Sequence, residues 1–186
     1  MQTRAEVSTL LTEAASRIHA ETDPRLIPDH GIILGCALPG ATTVSDVCAV
    51  NCATPSAVRW GGDADADPNP DPNPNTDPGP DIARVILTVI RHDPALRTAV
   101  AVRCTEDVLQ CATDDCAFDV VCYPTAPPGS GTMDWGIESA CRDGVPDGIY
   151  GQKTSAGDTV LWIFAETPAD GARNLIMLSG CISYTS

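Results

Sequence analysis

Cysteine is the residue type with the widest chemistry in this sequence, since thiols form disulfides, bind zinc or act as nucleophiles. The chain of 186 residues contains nine cysteines and three histidines. The closest cysteine spacings are C-x3-C, C-x4-C and C-x5-C, and the sequence has no C-x2-C pair that would make a tetrahedral zinc knuckle. The pattern therefore favours disulfides, and with them an oxidising location outside the cytosol.

Four of the cysteines fall in one short stretch, CTEDVLQCATDDCAFDVVC. Bridges there would stabilise a loop that has little core of its own, although spacing alone leaves the connectivity open. The full set of disulfide candidates is Cys48, Cys52, Cys104, Cys111, Cys116, Cys122, Cys141 and Cys181. Because nine is odd, at least one thiol is free or paired between chains, and a buried spare cysteine is favoured over an intermolecular bond.

Alternating acidic residues indicate a second kind of chemistry, cation binding. Asp63, Asp65 and Asp67 match the first three ligand positions of a calcium loop. Prolines stand where that loop needs its glycine and its bidentate glutamate. The segment 61–81, GGDADADPNPDPNPNTDPGPD, is therefore predicted to be an extended, solvated acidic loop or linker, because proline at this density joins neither helix nor sheet. A Ca²⁺ site is the alternative.

The sequence shows no catalytic constellation. His19, His30 and His92 fall in a predicted helix, a loop and a turn, and no glycine-rich phosphate loop precedes a helix. Eleven Lys and Arg stand against 25 Asp and Glu, which gives a net charge of −14. Without a basic cluster, binding to nucleic acid through a basic patch is excluded. We predict that the protein is not an enzyme.

The elements that would carry these residues begin with a helix over 2–22. Its apolar side chains recur every three or four residues, and the Thr3 to Glu6 fragment fits a capping box. The residues expected to dock this helix on the rest of the protein are Val7, Leu10, Leu11, Ala14 and Ile18.

Apolar runs later in the chain are predicted to be strands joined by turns. The predicted pairs are ARVILTVIR with LRTAVAVRC and TVLWIFAE with NLIMLSGCISYT; further candidates are AFDVVCY, TMDWGIE and residues 32–37. Strands joined in sequence by short turns make an antiparallel sheet. The predicted fold class is α+β: a single domain over 1–186, with an amphipathic N-terminal helix packed on an antiparallel sheet and disulfide-stapled loops.

The stretch QTRAEVSTLLTEAASRIHAE resembles type IV pilins just beyond their membrane-spanning segment. The matching positions are Arg4, Ala5, Val7, Ser8, Ala14 and Ala15. The resemblance implies a longer helix whose hydrophobic first half is missing here and whose second half packs on an antiparallel sheet. It also implies a disulfide that closes the C-terminal region, for which Cys141 and Cys181 are the candidates.

Function follows from that resemblance as an expectation. The protein would be a structural subunit of an extracellular or cell-surface bacterial filament of the type IV pilus class, either a pilin, a minor pilin or a pseudopilin. Its partners would be other pilin-type subunits, bound through the N-terminal helix, and it would meet the membrane only through the missing upstream segment. The alternative is a secreted, non-enzymatic binding module for carbohydrate or Ca²⁺. No other cofactor is predicted.

Overall fold

The computed structural model describes residues 2–62, 79–123, 133–151 and 159–184. Its centre is a sheet of seven strands: β1 Ile33–Ala37, β2 Val47–Asn51, β3 Arg59–Trp60, β4 Thr98–Cys104, β5 Val120–Tyr123, β6 Gly148–Gly151 and β7 Thr159–Ala165. They lie in the order β3-β2-β1-β4-β7-β6-β5. The pair β5–β6 is parallel, and the other neighbouring pairs of these strands are antiparallel.

Helices cover both faces of this sheet. They are α1 Arg4–Glu21, α2 Gly79–His92, α3 Glu106–Gln110, α4 Met133–Ala140 and α5 Pro168–Tyr184, with a π-helical turn at Cys111–Asp115 and short 3-10 helices at Pro24–Leu26 and Val44–Asp46. One face packs against α1, α3 and α5, and the other against α2 and α4. The result is a three-layer α/β fold. The predicted α+β class is therefore wrong.

Strand β4 shows how one strand serves two cores. Val100 and Val102 lie in the core with α1 and α5, whereas Ala99 and Ala101 lie in the core with α2. Successive side chains of a strand point to opposite faces, so a strand covered on both sides reads as a continuous apolar run. The larger residues face the α1–α5 layer, and the alanines let α2 approach closely.

The run ARVILTVIR, predicted as a hairpin strand, lies in α2 instead. Its buried residues Val85, Ile86 and Val89, with Ile82 before them, recur every three or four positions, which is the helical period. Gly35 of β1 makes room for this helix: a Cβ there would lie 2.9 Å from the Ile82 Cδ1 atom. The first predicted hairpin is wrong because the apolar period is that of a helix.

The second predicted hairpin is half right. TVLWIFAE contains β7, but residues 174–184 of the run NLIMLSGCISYT lie in α5, where Leu175, Leu178 and Ile182 are buried at helical spacing. In the candidate strand TMDWGIE, residues 133–138 likewise belong to α4. The strands predicted at 32–37 and in AFDVVCY are confirmed as β1 and β5.

Helix α1 packs on α5 as well as on β1 and β2. Of its five expected docking residues, Val7, Leu11, Ala14 and Ile18 are buried. Leu10 is 37 % exposed and lies at the rim of the helix interface. Among the described residues, no helix combines the length and the apolar character needed to cross a bilayer.

The nine cysteines all lie in described parts of the chain, and no disulfide joins any two of them. The Sγ atoms of Cys116 and Cys181 come within 3.5 Å, well beyond the bond length of about 2.05 Å. Cys141 belongs to the α2–α4 core, whereas Cys181 packs against the α1–α5 core, so the sheet separates this predicted pair. The predicted disulfide-stapled loops are wrong, and the buried thiols act as small apolar side chains.

The first turn of α1 supports one stability prediction. Glu6 donates its N–H to the Thr3 Oγ1 atom at 3.3 Å, and the Thr3 N–H donates to the Glu6 carboxylate at 2.7 Å. The Thr3 N–H bond, together with a bond from the Thr3 hydroxyl to the same carboxylate at 3.1 Å, holds the pKa of Glu6 below its ordinary value. We expect Thr3→Ala to lower the free energy of unfolding by about 1 kcal/mol in urea denaturation at neutral pH.

The loss should shrink in acid. A carboxyl group whose pKa is lowered by folding contributes stability above its ordinary pKa, and that contribution disappears as pH falls through the folded value. Thr9→Ala is the matched control, because the Thr9 hydroxyl bonds to the Ala5 carbonyl inside the helix and caps nothing. Equal losses for the two variants would contradict a capping role.

Candidate functional site

The carboxyl ends of three strands, β4, β5 and β6, lie at the same end of the sheet. Because β5 and β6 are parallel, their carboxyl ends at Tyr123 and Gly151 lie side by side. The end of β4 joins them through β7, since Cys104 pairs with Thr159. In open α/β sheets ligands bind outside the carboxyl ends of strands, so this end is the first place to seek a site.

A cleft of about 370 Å³ opens next to this end, between α3 with its π-helical turn and the β5–β6 pair. Its lining consists of Glu106, Leu109, Gln110, Thr113, Val120 and Tyr150. Thr105 positions α3 directly after β4, because its side chain accepts the Val108 N–H at 3.3 Å and caps the helix. The volume falls within the range of small-molecule sites, roughly 300–1,000 Å³.

The polar groups beside the cleft are mostly uncharged. Burial raises the pKa of Tyr150, and the neighbouring Cys122 and Cys104 thiols raise it further. Burial and the nearby Cys122 raise the pKa of Cys104 to about 12. Both groups therefore stay protonated at neutral pH, and they can donate hydrogen bonds or pack against a ligand. This cluster is not built to supply a thiolate nucleophile.

A cation stands at the same end of the sheet, where the alternation along β4 puts it on the α2–α4 face, opposite the face that carries the cleft. Arg103, next to last in β4, donates from its Nη2 atom to the Asp29 carboxylate at 2.8 Å. The Arg103 side chain is 28 % exposed and that of Asp29 is 87 % exposed, so solvent reaches the pair. Since the Asp29 carboxylate is so exposed, an arriving phosphate could share or replace it on the guanidinium.

A second cleft, of about 400 Å³, lies between α1 and the residues around β3. Trp60 is one of its walls. Its indole N–H donates to the Ser8 Oγ atom at 3.1 Å, and the Arg4 guanidinium lies 4.8 Å from the ring centroid. Trp60 is thus already engaged by α1 on one face and at its nitrogen. Trp162, in contrast, is buried in the core.

Some of the site residues predicted from the sequence lie outside the residues that the structure describes. Asp63, Asp65 and Asp67, the Ca²⁺ candidates, lie outside the described residues, so that hypothesis stays a prediction. Within the described residues, no group of three or more His, Cys, Asp or Glu side chains could hold a metal ion. Sequence reasoning missed Arg103 and Gln110. Their positions in the sequence could have indicated them. Arg103 is near the carboxyl end of an apolar strand, and Gln110 is in the helix that follows that strand.

Comparison with known sequences decides the family. Residues 10–177 match the family described as thiamine-phosphate synthase ThiN. The chain belongs to this family. The resemblance to type IV pilins is therefore wrong: it rested on one helix of about 20 residues, a length over which alanine-rich amphipathic patterns recur in unrelated proteins. No curated protein matches the chain.

Solved structures agree on the fold. The C-terminal domain of protein MJ0236 superposes with a TM-score of 0.78 at 18 % identity and covers all of both chains. The C-terminal domain of a phosphomethylpyrimidine kinase gives 0.74 at 22 % identity, covering 95 % of this chain and 100 % of that domain. At these identities the likeness shows a shared architecture. It places this ThiN-family chain among α/β domains rather than among pilins.

Membership of the ThiN family changes the functional expectations. It contradicts the predicted filament subunit, its pilin-type partners and the alternative of a secreted binding module. The expectation of a non-enzymatic protein conflicts with a family of synthases. The extracellular location is not tested by these observations and stays a prediction, although the disulfides that motivated it are absent among the nine described cysteines.

Proposed function

We propose that this protein is a thiamine-phosphate synthase, an enzyme that forms thiamine phosphate. The observation that carries the proposal is the ThiN family match over residues 10–177. The open cleft between α3, which follows β4, and the β5–β6 pair supports it, since α/β sheets bind small molecules near the carboxyl ends of their strands. Arg103 supplies a cation for a phosphate ester at the same end of the sheet, on its α2–α4 face.

The proposal is tested by assay and by titration of the purified full chain. The assay supplies the two halves of the product, the pyrimidine as its diphosphate ester and the thiazole as its phosphate ester, and follows thiamine phosphate by chromatography. Calorimetry measures the binding of thiamine phosphate itself. Saturable binding with turnover is the expected result. A chain that neither forms nor binds thiamine phosphate would overturn the proposal.

Arg103 gives the proposal a residue-level prediction. We expect Arg103→Gln to weaken thiamine phosphate binding by about tenfold or more, because a charge-assisted bond to the phosphate is lost. Binding of thiamine, which lacks the phosphate, should change little. Calorimetric titration of both ligands at low salt measures the difference.

Arg173→Gln is the matched control. Arg173 also pairs with an aspartate, Asp170 at 2.7 Å, but it lies in the first turns of α5, at the opposite edge of the sheet. Its replacement should leave both affinities unchanged. The phosphate-binding role of Arg103 would be refuted if Arg103→Gln weakened both ligands equally, or if the control variant matched it.

A further inference from the structure

Gln110 places a primary amide in the cleft between α3 and the β5–β6 pair. Its side chain makes no hydrogen bond to the described part of the chain, whereas its backbone carbonyl accepts the Thr113 hydroxyl at 3.2 Å. The Thr113 hydroxyl also donates to the Leu109 carbonyl at 3.0 Å, which holds the last turn of the helix. The Gln110 amide therefore projects from a fixed backbone, with a donor and an acceptor both available.

An amide of this kind matches one particular ring edge. A 4-aminopyrimidine carries an amino donor beside a ring-nitrogen acceptor, and a primary amide satisfies both in one plane. Asn and Gln bind the corresponding edge of adenine in the same way. Of the groups that make up thiamine phosphate, only the pyrimidine offers this edge.

The rest of the cleft suits a flat aromatic ring. Tyr150 is half-buried in it and offers an aromatic face, and Leu109 and Val120 add apolar walls. Partial burial of a ring between such side chains is the usual design of a small-molecule site, in which a few polar groups set orientation. The Tyr150 hydroxyl stays protonated and adds no charge to the cleft.

The charge at the cleft is negative, which suits a cationic ligand. Glu106 is exposed in its lining, and no Lys or Arg is among the lining residues. Thiamine phosphate contains a thiazolium ring that is permanently cationic, so the Glu106 carboxylate would attract it. A phosphate would be repelled from the same position and would be directed out of the cleft.

We propose that this cleft binds the aminopyrimidine ring of thiamine phosphate, with the Gln110 amide on its polar edge, Tyr150 against its face and Glu106 beside the thiazolium. The proposal rests on the proposed function, which supplies the ligand. It assigns roles to three residues and gives the organic part of that ligand a place.

The test compares three ligands on the full chain and its variants by calorimetry. Gln110→Leu keeps the size of the side chain and removes its hydrogen bonds, so thiamine phosphate and thiamine should both bind about tenfold more weakly. Glu106→Gln should weaken both by about threefold at low salt, with a smaller effect as salt is raised. Thiazole phosphate lacks both the pyrimidine and the positive ring charge, so its affinity should not change in either variant.

Glu13→Gln is the control, since Glu13 is an exposed glutamate that lines the other cleft, beside α1. If the wild-type chain binds thiamine phosphate and Gln110→Leu binds it equally well, the cleft assignment fails while the proposed function stands. The same holds if Glu13→Gln is the variant that loses affinity. If the wild-type chain does not bind thiamine phosphate, the proposed function fails and this assignment with it. Matching thermal unfolding of the variants shows that each has folded.

Discussion

Gly35→Val is expected to destabilise the protein by about 3 kcal/mol or more, at the upper end of overpacking effects. Gly35 lies in β1, inside the sheet, and faces α2. A Cβ atom would stand 2.9 Å from the Ile82 Cδ1 atom and 3.0 Å from the Ile86 Cδ1 atom, and valine adds two methyl groups beyond it. Both isoleucines are fully buried, so they have little room to move.

Urea denaturation of Gly35→Val against the wild-type chain measures this cost. Gly180→Ala is the control, because a Cβ at that position in α5 meets nothing within 4 Å. Alanine in place of glycine inside a helix should stabilise the protein by up to about 1 kcal/mol. If Gly35→Val unfolds at the same urea concentration as the wild type, α2 does not approach β1 as closely as described.

Leu11→Ala is the second change with a large expected effect. Leu11 is fully buried in α1, where the helix meets α5, β1 and β2. Removing its side chain should cost about 3–4 kcal/mol, which combines the lost burial with the cavity left behind. Because native proteins have only about 5–15 kcal/mol of stability, such a loss should be obvious in thermal unfolding.

Leu10→Ala provides a control in the same helix, with the same chemical change one position earlier. Leu10 is 37 % exposed, so we expect it to lose well under half as much stability as Leu11→Ala. The comparison also tests the sequence-based docking set, which treated the two leucines alike. If the two variants lost equal stability, α1 would have to be rotated about its own axis so that Leu10 and Leu11 were buried alike.

The sequence allowed prediction of elements whose local signals agree with their place in the fold. Strand β1 at Ile33–Ala37 and strand β7 at Thr159–Ala165 are short apolar runs bounded by turn residues. Helix α1 carries both a capping box and a regular apolar stripe. In each case propensity, period and boundary residues indicate the same element.

Helices α2 and α5 were missed because composition and period disagree. ARVILTVIR is rich in β-branched residues, which favour strands, but burial against the sheet follows the helical period of Ile82, Val85, Ile86 and Val89. Tertiary packing overrides propensity there. Because α2 and α5 were both predicted to be strands, the predicted fold had one helix on a sheet instead of helices on both faces of the sheet.

The cleft could not be predicted from sequence spacing. Gln110 and Tyr150 are 40 positions apart, and they line one cleft because the parallel β5–β6 pair lies one strand away from β4, which leads into α3. Parallel pairing leaves no short turn to mark it in the sequence. The cysteines misled for a related reason: their number indicated oxidation, whereas their burial in two separate cores shows that most serve as packing.

The two outermost strands of the sheet are short, and this bears on how the protein behaves in concentrated solution. The edge strand on one side is β3, with two residues, and the edge strand on the other side is β5, with four. A strand from a neighbouring molecule could therefore form only a few backbone hydrogen bonds with β3 or β5. The net charge of −14 adds mutual repulsion between copies. We therefore expect the described strands to give little support to fibril growth from either side of the sheet.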